Sequence, residues 1–360
     1  MDTTLSETQR LLRDSVRDYL RNEVPFDRIR ELEREGGADQ PLWEYLQGAG
    51  YLTLPFAESH GGEGGELTDA AILLEELTRR ACVIPFLETT ASARAIERHG
   101  DEALADEVVR GVIGGGVTIA PALQGSTPDN GAAPRVASGA LTGERRFVDY
   151  GAEVSHHLVE ATEDGEPGLY LVEARGEGVT TDSLSTIART PLAHCTYDGA
   201  PARRAGGAEA LQFLRRAGRA LCAIQCVGNA QQALDMTVEY VGMRVQFGRP
   251  IGSFQAVQHH CANMATQTLG ARFLTYQAVW RLDQGTASDR QIAKAKALAS
   301  RAGTEVTMQA HILFGGIGYT EEYDLHFFSR HGKERALAWG SADECLRLAA
   351  GTLDEVQPWR

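Results

Sequence analysis

Apolar residues recur at helical spacing near both ends of the chain. Near the N-terminus, Leu12, Val16, Tyr19 and Leu20 form one such series, and residues 70–77 form a second. In the C-terminal half, one apolar stripe consists of Leu211, Leu214, Leu221, Ile224, Val227, Leu234 and Val241. A second stripe consists of Val257, Cys261, Met264, Thr268 and Ala271. This spacing puts each series on one helix face. The pattern predicts a helical N-terminal region and a C-terminal bundle of long antiparallel helices.

The middle of the chain has a different pattern. Residues 117–120 and 169–172 are short apolar runs typical of strands, and the Asp164-Gly165 and Asp198-Gly199 pairs predict turns. The predicted architecture is therefore an N-terminal α-helical domain, a small middle β domain or β-barrel, and an antiparallel four-helix bundle. The predicted boundaries are 1–116, 117–205 and 206–360.

Local signals mark the ends of the bundle helices. The Gly248-Arg249-Pro250 sequence ends the first helix. Ser288 followed by Gln291 is a capping-box pattern that opens the third, and Gly315-Gly316 ends that helix. A fourth helix is predicted from about residue 340 to the C-terminus.

The composition excludes some classes of function. With 43% hydrophobic and 23% charged residues the chain is ordinary for a globular protein, and its formal net charge of −14 argues against nucleic-acid binding. No signal peptide and no apolar run of about 18 residues is visible, so we expect a cytoplasmic protein without membrane insertion. The six scattered cysteines are expected to be free thiols rather than metal ligands.

Three motifs carry a family resemblance. Residues 244–251 read RVQFGRPI and are followed by FQAVQH at 254–259; residues 309–323 read QAHILFGGIGYTEEY. The third motif runs from Thr53-Leu54-Pro55 through Gly61-Gly62 to the helix with Leu73-Leu74-Glu75-Glu76-Leu77. In this order and spacing the motifs resemble the acyl-CoA dehydrogenase family over nearly the whole chain.

The resemblance implies FAD as cofactor, an acyl-CoA substrate and an electron-transfer flavoprotein as acceptor. In this family the bundle motifs hold the FAD of the neighbouring subunit. The implied cofactor-binding residues are Arg244, Gln246, Phe247, Gln255, Gln309, Gly315 and Gly316. Their chemistry is suitable. A guanidinium pairs with pyrophosphate, an amide both donates and accepts, and glycine lets the backbone approach a ligand.

The family's catalytic glutamate occupies one of two places, and this chain lacks a carboxylate at both. On the fourth helix the corresponding position falls on Trp339 or Gly340, and on the first bundle helix it falls on Gly218. Arg219, which follows, is a weak candidate for substrate contact. Asp343 and Glu344 are the nearest acids to the first place. If this chain has its own base, one of them would have to take that role from a displaced position.

The β domain also departs from the family. Of its Thr-Glu-Pro, Gly-Ser-Asp stretch only Gly125-Ser126 remains, and Phe147-Val148-Asp149 replaces its Trp-Ile-Thr strand. An aspartate there would oppose negative charge developing on a flavin ring.

The chain is therefore expected to be the subunit without the base in a heteromeric enzyme. Such pairs resemble the α2β2 acyl-CoA dehydrogenases of actinobacterial steroid side-chain breakdown, in which a homologous partner supplies the glutamate. Two alternatives stay open at this point. One is a self-sufficient homomeric flavoenzyme with a displaced base, and the other is a flavin-free structural or acyl-binding relative, since a fold alone does not establish activity.

Overall fold

The computed structural model describes residues 4–125 and 133–351 of the 360-residue chain. The N-terminal region is helical, as predicted. Its helices are α1 (Glu7–Glu23), α2 (Phe26–Glu35), α3 (Gln40–Gly48), α4 (Leu67–Arg79), α5 (Phe86–His99) and α6 (Glu102–Ile113). Helix α1 begins with a capping box in which the Ser6 hydroxyl accepts from the Gln9 N–H and the Gln9 side chain accepts from the Ser6 N–H.

The middle region is a β-sheet, which confirms the predicted fold class. Its strands are β1 (Ile119–Ala122), β2 (Arg135–Ala137), β3 (Ala140–Asp149), β4 (His156–Glu163), β5 (Glu166–Glu173), β6 (Val179–Leu184), β7 (Leu192–Pro201) and β8 (Arg203–Gly206). Their order in the sheet is β6-β7-β3-β2-β4-β5-β8, with β1 added parallel to β4. The predicted Asp164-Gly165 turn joins β4 to β5, and both residues have positive φ, 52° and 87°.

The Asp198-Gly199 turn prediction was wrong. Both residues lie inside β7, where the pairing with β3 shifts register between Leu141 and Thr142. Gly199 has φ 68°, so it absorbs the extra residue as a β-bulge instead of reversing the chain. An Asp-Gly pair has the same dihedral preference in a bulge as in a turn.

The interior of the sheet contains a buried polar group that is fully satisfied. His157 Nε2 donates to the Gly151 carbonyl at 2.7 Å, so its Nδ1 is the acceptor for the Tyr197 hydroxyl at 3.0 Å. Burial lowers the pKa of His157, which keeps the imidazole neutral.

The C-terminal region consists of α7 (Ala208–Met243), α8 (Gln255–Asp283), α9 (Asp289–Phe314), α10 (Leu325–Leu337) and α11 (Ala342–Gly351). A two-stranded hairpin, β9 (Val245–Gln246) and β10 (Arg249–Pro250), separates α7 from α8. The predicted capping box of Ser288 and Gln291 opens α9, and Gly315 ends it. Helix α10 was not predicted, and the predicted fourth helix corresponds to the shorter α11.

By its internal contacts the chain divides into two compact units. One comprises Met1–Asp27, Ala71–Cys82 and Arg219–Arg360, and the other comprises Arg28–Ala70 and Val83–Gly218. The domain boundaries at 116 and 205 stay a prediction. In the described part of the chain no helix is long and apolar enough to cross a membrane.

Small side chains allow the helices of the first unit to approach closely. One buried cluster consists of Ala223, Cys226, Val227, Ala271, Ala299 and Ala302, and another of Ala293, Ala297, Cys345 and Ala349. All six cysteines are free thiols, and Cys82 and Cys261 are the two that are partly exposed.

Candidate cofactor-binding site and the two base positions

The β9–β10 hairpin projects from the end of α7. The Arg244 N–H still bonds to the Tyr240 carbonyl as in a helix, at 2.8 Å, and the Ile251 N–H bonds to the Arg244 carbonyl at 2.8 Å to close the hairpin. The two turn residues, Phe247 (φ 55°) and Gly248 (φ 79°), both have left-handed backbone conformation, which a two-residue turn between twisted strands requires.

The ring of Phe247 is almost fully exposed, at 91%. Behind it, Phe254 meets this ring edge-on at 6.1 Å, and the Arg249 guanidinium lies 4.1 Å from the centre of the Phe254 ring. The hairpin is therefore supported from its inner side and leaves an aromatic ring in solvent.

Arg244, the first residue of the hairpin, is exposed. Among residues 4–125 and 133–351 its guanidinium has no hydrogen bond or ion pair. Gln246 and Gln255 are also exposed, and Gln246 Nε2 donates to the neighbouring Val245 carbonyl at 2.8 Å. The predicted polar residues of this motif thus point away from the chain's own core.

An aromatic cluster joins this hairpin to the end of α9. Tyr240 stacks on Phe314 with ring centroids 4.3 Å apart, and Tyr323 contacts Phe314 at 4.8 Å. Arg244 begins one turn after Tyr240, and Gly315 directly follows Phe314. The structure therefore brings the two predicted motifs together, and we call this region the α7–α9 corner. It comprises Tyr240–Pro250 and Gln309–Tyr323.

The glycines of the corner differ in what surrounds them. A Cβ on Gly318 would lie 2.8 Å from the Phe314 Cβ, which is too close for a real contact. A Cβ on Gly315 or Gly316 would meet no atom within 4 Å. Gly318 is therefore required by the chain's own packing, whereas Gly316 borders open space. Gly315 also has φ 64°, which favours glycine at the helix end.

Gln309 lies on α9, six residues before Gly315. Its Oε1 is buried and has no hydrogen-bond partner in the part of the chain that the structure describes. A buried acceptor without a donor is costly.

The two expected base positions contain no carboxylate. Gly218 lies within α7. Trp339 (φ 59°) and Gly340 (φ 105°) form a sharp reversal between α10 and α11, and Arg219 Nε donates to the Trp339 carbonyl at 3.1 Å. We call residues 339–341 the α10–α11 elbow.

Of the two acids next to the elbow, Glu344 caps a helix and Asp343 lies on the surface. The Glu344 carboxylate accepts from the Ser341 N–H at 2.7 Å, and the Ser341 hydroxyl accepts from the Glu344 N–H at 3.3 Å, which is a capping box for α11. The Asp343 side chain is 85% exposed and lies 3.7 Å from an Arg301 nitrogen.

A buried lysine holds the elbow. Lys296 is fully buried, and its ammonium donates to the Ser300 hydroxyl at 2.7 Å and to the carbonyls of Arg335, Ala336 and Gly340 at 3.0, 3.4 and 3.2 Å. It thereby satisfies carbonyls at the C-terminus of α10, where a cation is favoured. A hydrogen bond from Cys222, and secondarily the nearby ammonium, lowers the pKa of Cys226 on the facing helix.

The β-domain positions differ in burial, and Asp149 is half-buried. Ala120 and Ala122 are buried in the sheet core, and Phe147 is 60% exposed with φ 59° at a second bulge of β3. Asp149 pairs with Leu192 at the end of β3. Gly125 lies just after β1, and Ser126 lies outside the described residues.

The sequence analysis did not predict Tyr240 or Lys296 as parts of these regions, and it gave no role to His311 or Tyr319 within the 309–323 motif. Tyr240 could have been found, since an aromatic residue one turn before Arg244 is a signal for a supported helix end. Lys296 gave no signal, because a lysine in an alanine-rich helix has the pattern of a surface residue.

Comparisons with known proteins match both helical regions of the chain. Residues 6–116 match the acyl-CoA dehydrogenase N-terminal domain, and residues 206–350 match the acyl-CoA dehydrogenase C-terminal domain. The acyl-CoA dehydrogenase FadE27 of Mycobacterium tuberculosis is 30% identical over 99% of this chain and 100% of its own length. The chain belongs to the acyl-CoA dehydrogenase family.

Two solved structures are similar to the whole chain. A variant of the Tcur3481–Tcur3483 steroid ACAD is 31% identical, covers 98% of this chain and 99% of that chain, and has a TM-score of 0.92. The ChsE4–ChsE5 complex from Mycobacterium tuberculosis is 29% identical, covers 99% and 100%, and has a TM-score of 0.94.

Proposed function

We propose that this chain is the subunit without the base in a heteromeric FAD-dependent acyl-CoA dehydrogenase. It binds the nucleotide end of the FAD whose ring is held by a homologous partner, and the partner supplies the catalytic glutamate. The observation that carries the proposal is the α7–α9 corner. There the unpaired Arg244 and the open side of Gly316 border solvent.

The residues of the corner fit FAD. The exposed guanidinium of Arg244 is a planar, permanently charged donor suited to a pyrophosphate. The buried Oε1 of Gln309 lacks a donor that a ribose hydroxyl would provide. This chain has room for a Cβ at both Gly315 and Gly316. Both glycines therefore leave space for a group from outside the chain to approach the backbone.

The elbow supports the second half of the proposal. When bound, FAD accepts a hydride from the β-carbon of an acyl thioester, while a carboxylate removes the α-proton. By resemblance to the family's aromatic-Glu-Gly-Thr motif, the glutamate position at the elbow corresponds to Trp339 or Gly340, and neither residue carries a carboxylate. An indole has no group that can accept this proton.

A displaced base on this chain is disfavoured by the same geometry. The Glu344 carboxylate caps α11, and Asp343 lies on the surface. A general base must reach the α-carbon from a site that excludes water.

The substrate class and the assembly follow from similarity. Two heteromeric relatives of known structure, one of them described as a steroid ACAD, resemble this chain over nearly its full length. We infer that the enzyme is an α2β2 complex in the cytoplasm that oxidises bulky acyl-CoA esters such as steroid side-chain thioesters. Electrons would pass to an electron-transfer flavoprotein.

Flavin stoichiometry tests the proposal. The chain is purified alone and after co-expression with its homologous partner, and FAD is measured by absorbance at the flavin band. The expected result is little FAD alone and one FAD per heterodimer. Catalytically competent yellow protein from this chain alone would contradict the proposal, and a heteromer without flavin would favour a structural role.

A further inference from the structure

A small cavity between α1, the end of α4 and α7 is lined by a concentration of arginines. Its volume is about 160 Å³, and four of its lining residues are Arg17, Arg21, Arg79 and Arg80. All of its lining residues belong to one compact unit of the chain. Such a group of cations is notable in a chain whose formal net charge is −14. We call this feature the arginine cavity.

Two of the four arginines are neutralised by carboxylates in the wall. Arg17 donates from Nε and Nη2 to the two carboxylate oxygens of Glu76, at 2.9 and 2.6 Å. Arg79 Nη2 donates to Asp235 Oδ2 at 2.7 Å, and Gln231 Nε2 donates to the other oxygen of Asp235 at 2.7 Å. These charge-assisted hydrogen bonds fix the walls of the cavity.

The other two arginines have no counter-ion in the described part of the chain. Arg21 is exposed on the last turn of α1 and forms no ion pair there. Arg80 Nε donates to the Val24 carbonyl at 2.5 Å, and its guanidinium carbon lies 4.1 Å from the centre of the Phe26 ring. Its position is therefore fixed, while its terminal nitrogens stay available to an acceptor.

The two unpaired guanidiniums repel each other. Burial is the main cause that lowers the pKa of Arg80, and the charge of Arg21 acts in the same direction, while Cys82 and Asp324 act against it. Glu239 is the remaining acid of the lining, and it is exposed. Four arginines against three carboxylates leave the lining with a net positive charge, which an anion would relieve.

The size of the cavity limits what can enter it. Pockets for drug-sized ligands have volumes of roughly 300–1,000 Å³. A cavity of about 160 Å³ therefore fits a small ion or the terminal group of a larger molecule. Because Arg21 and Arg80 lie on different elements, they approach from different directions. A tetrahedral phosphate presents oxygens in several directions, whereas a carboxylate presents two in one plane, and a phosphate group carries about −1.5 to −2 charges at pH 7.

We propose that the arginine cavity is a phosphate-binding site in which Arg21 and Arg80 contact the phosphoryl oxygens. The site does not depend on the proposed function, because this chain alone supplies its lining. Inorganic phosphate and the phosphoryl group of a nucleotide share this chemistry.

Calorimetric titration of the full-length chain tests the site. Inorganic phosphate, AMP and malonate are titrated separately, with ionic strength held constant by chloride. Arg21→Met removes an exposed cation that is not needed for packing, and Glu239→Gln removes the competing negative charge. Arg10→Met is the matched control, because Arg10 is an exposed arginine of α1 outside the cavity. Circular dichroism checks that each variant is folded.

The expected result is saturable phosphate binding with a dissociation constant of about 1 mM or below. Arg21→Met should weaken it by on the order of ten-fold, because a charge-assisted hydrogen bond is lost. Glu239→Gln should strengthen it by about two-fold to five-fold, and Arg10→Met should leave it unchanged. If AMP binds as well as phosphate, the site takes the phosphoryl group of a larger molecule; if phosphate alone binds, it takes the free ion.

Absence of saturable phosphate binding by the folded chain would overturn the site. An equal loss of affinity in Arg10→Met and Arg21→Met would do so too, since it would reflect net charge instead of a cavity. Tighter binding of malonate than of phosphate would overturn the assignment of the ligand, and weaker phosphate binding by Glu239→Gln would contradict the charge argument.

Discussion

The α7–α9 corner and the α10–α11 elbow are both helix ends, and they differ in what satisfies their polar groups. At the elbow every named carbonyl has a donor from the chain itself, chiefly the Lys296 ammonium and the Arg219 guanidinium. At the corner Arg244 and the Oε1 of Gln309 have no partner among the residues described. The elbow is therefore complete by itself, whereas the corner has polar groups to which the proposed cofactor would offer partners.

The largest expected effect is on the elbow. Lys296→Met should lower the free energy of unfolding by about 3 kcal/mol, since it leaves buried carbonyls and the Ser300 hydroxyl without their donor. Urea unfolding followed by circular dichroism measures this. Lys294→Met is the matched control, because Lys294 is exposed on the same helix. A loss below about 1 kcal/mol for Lys296→Met would mean that the elbow does not depend on its lysine.

The corner should show its largest effect in cofactor binding. Arg244→Ala in the heteromer should weaken FAD binding by about 30-fold to 100-fold, because a charge-assisted pair to a phosphate is lost. Flavin fluorescence titration measures the affinity. The FAD affinity of Arg244→Lys should lie between those of Arg244→Ala and the unchanged heteromer, because an ammonium keeps the charge but lacks the planar guanidinium. If all three proteins retain the same flavin content, Arg244 has another role.

A comparison of Gly318 with Gly316 provides a sharper test of the corner. Gly318→Ala should destabilise the isolated chain by about 1–3 kcal/mol, because the added Cβ has no room. Gly316→Ala should leave thermal stability nearly unchanged but lower the FAD content of the heteromer. Comparable destabilisation of the chain by both substitutions would mean that Gly316 serves the chain's own fold.

The smallest expected effect concerns pH. Burial places the folded pKa of His311 below its ordinary value of 6.5. Above pH 6.5 the imidazole is neutral in both folded and unfolded chains, so this residue adds no pH dependence there. As pH falls below 6.5 the unfolded chain binds the proton first, and stability decreases. An NMR titration of the His311 ring should give a midpoint below 6.5, and a midpoint above it would contradict burial as the dominant influence on the pKa of this imidazole.

The sequence predicted elements whose signals are local. The capping box of Ser288 and Gln291 and the end of α9 at Gly315 are confirmed, since each depends on a few adjacent residues. Helix α10 has the weaker pattern of a helix buried on several sides, with Phe327, Phe328, His331 and Gly332 all buried. Such a helix lacks the single apolar stripe by which helices are recognised.

For the candidate site, the sequence analysis proposed residues for ligand contact but did not predict the residues that support them. Arg244 and Gly316 belong to a contiguous motif. Tyr240 and Phe314 are far apart in sequence, and their stacking is visible only once α7 and α9 are folded. Supporting residues therefore need tertiary structure to be identified.

The backbone of Phe247 has a consequence for the evolution of the chain. A phenylalanine in left-handed conformation is less stable than asparagine or glycine at the same turn position, and its ring is 91% exposed, with an edge-on contact to Phe254. Selection for a stable monomer alone would replace it. Phe247→Asn should therefore raise the melting temperature of the chain on its own. In the heteromer the same substitution should weaken FAD binding.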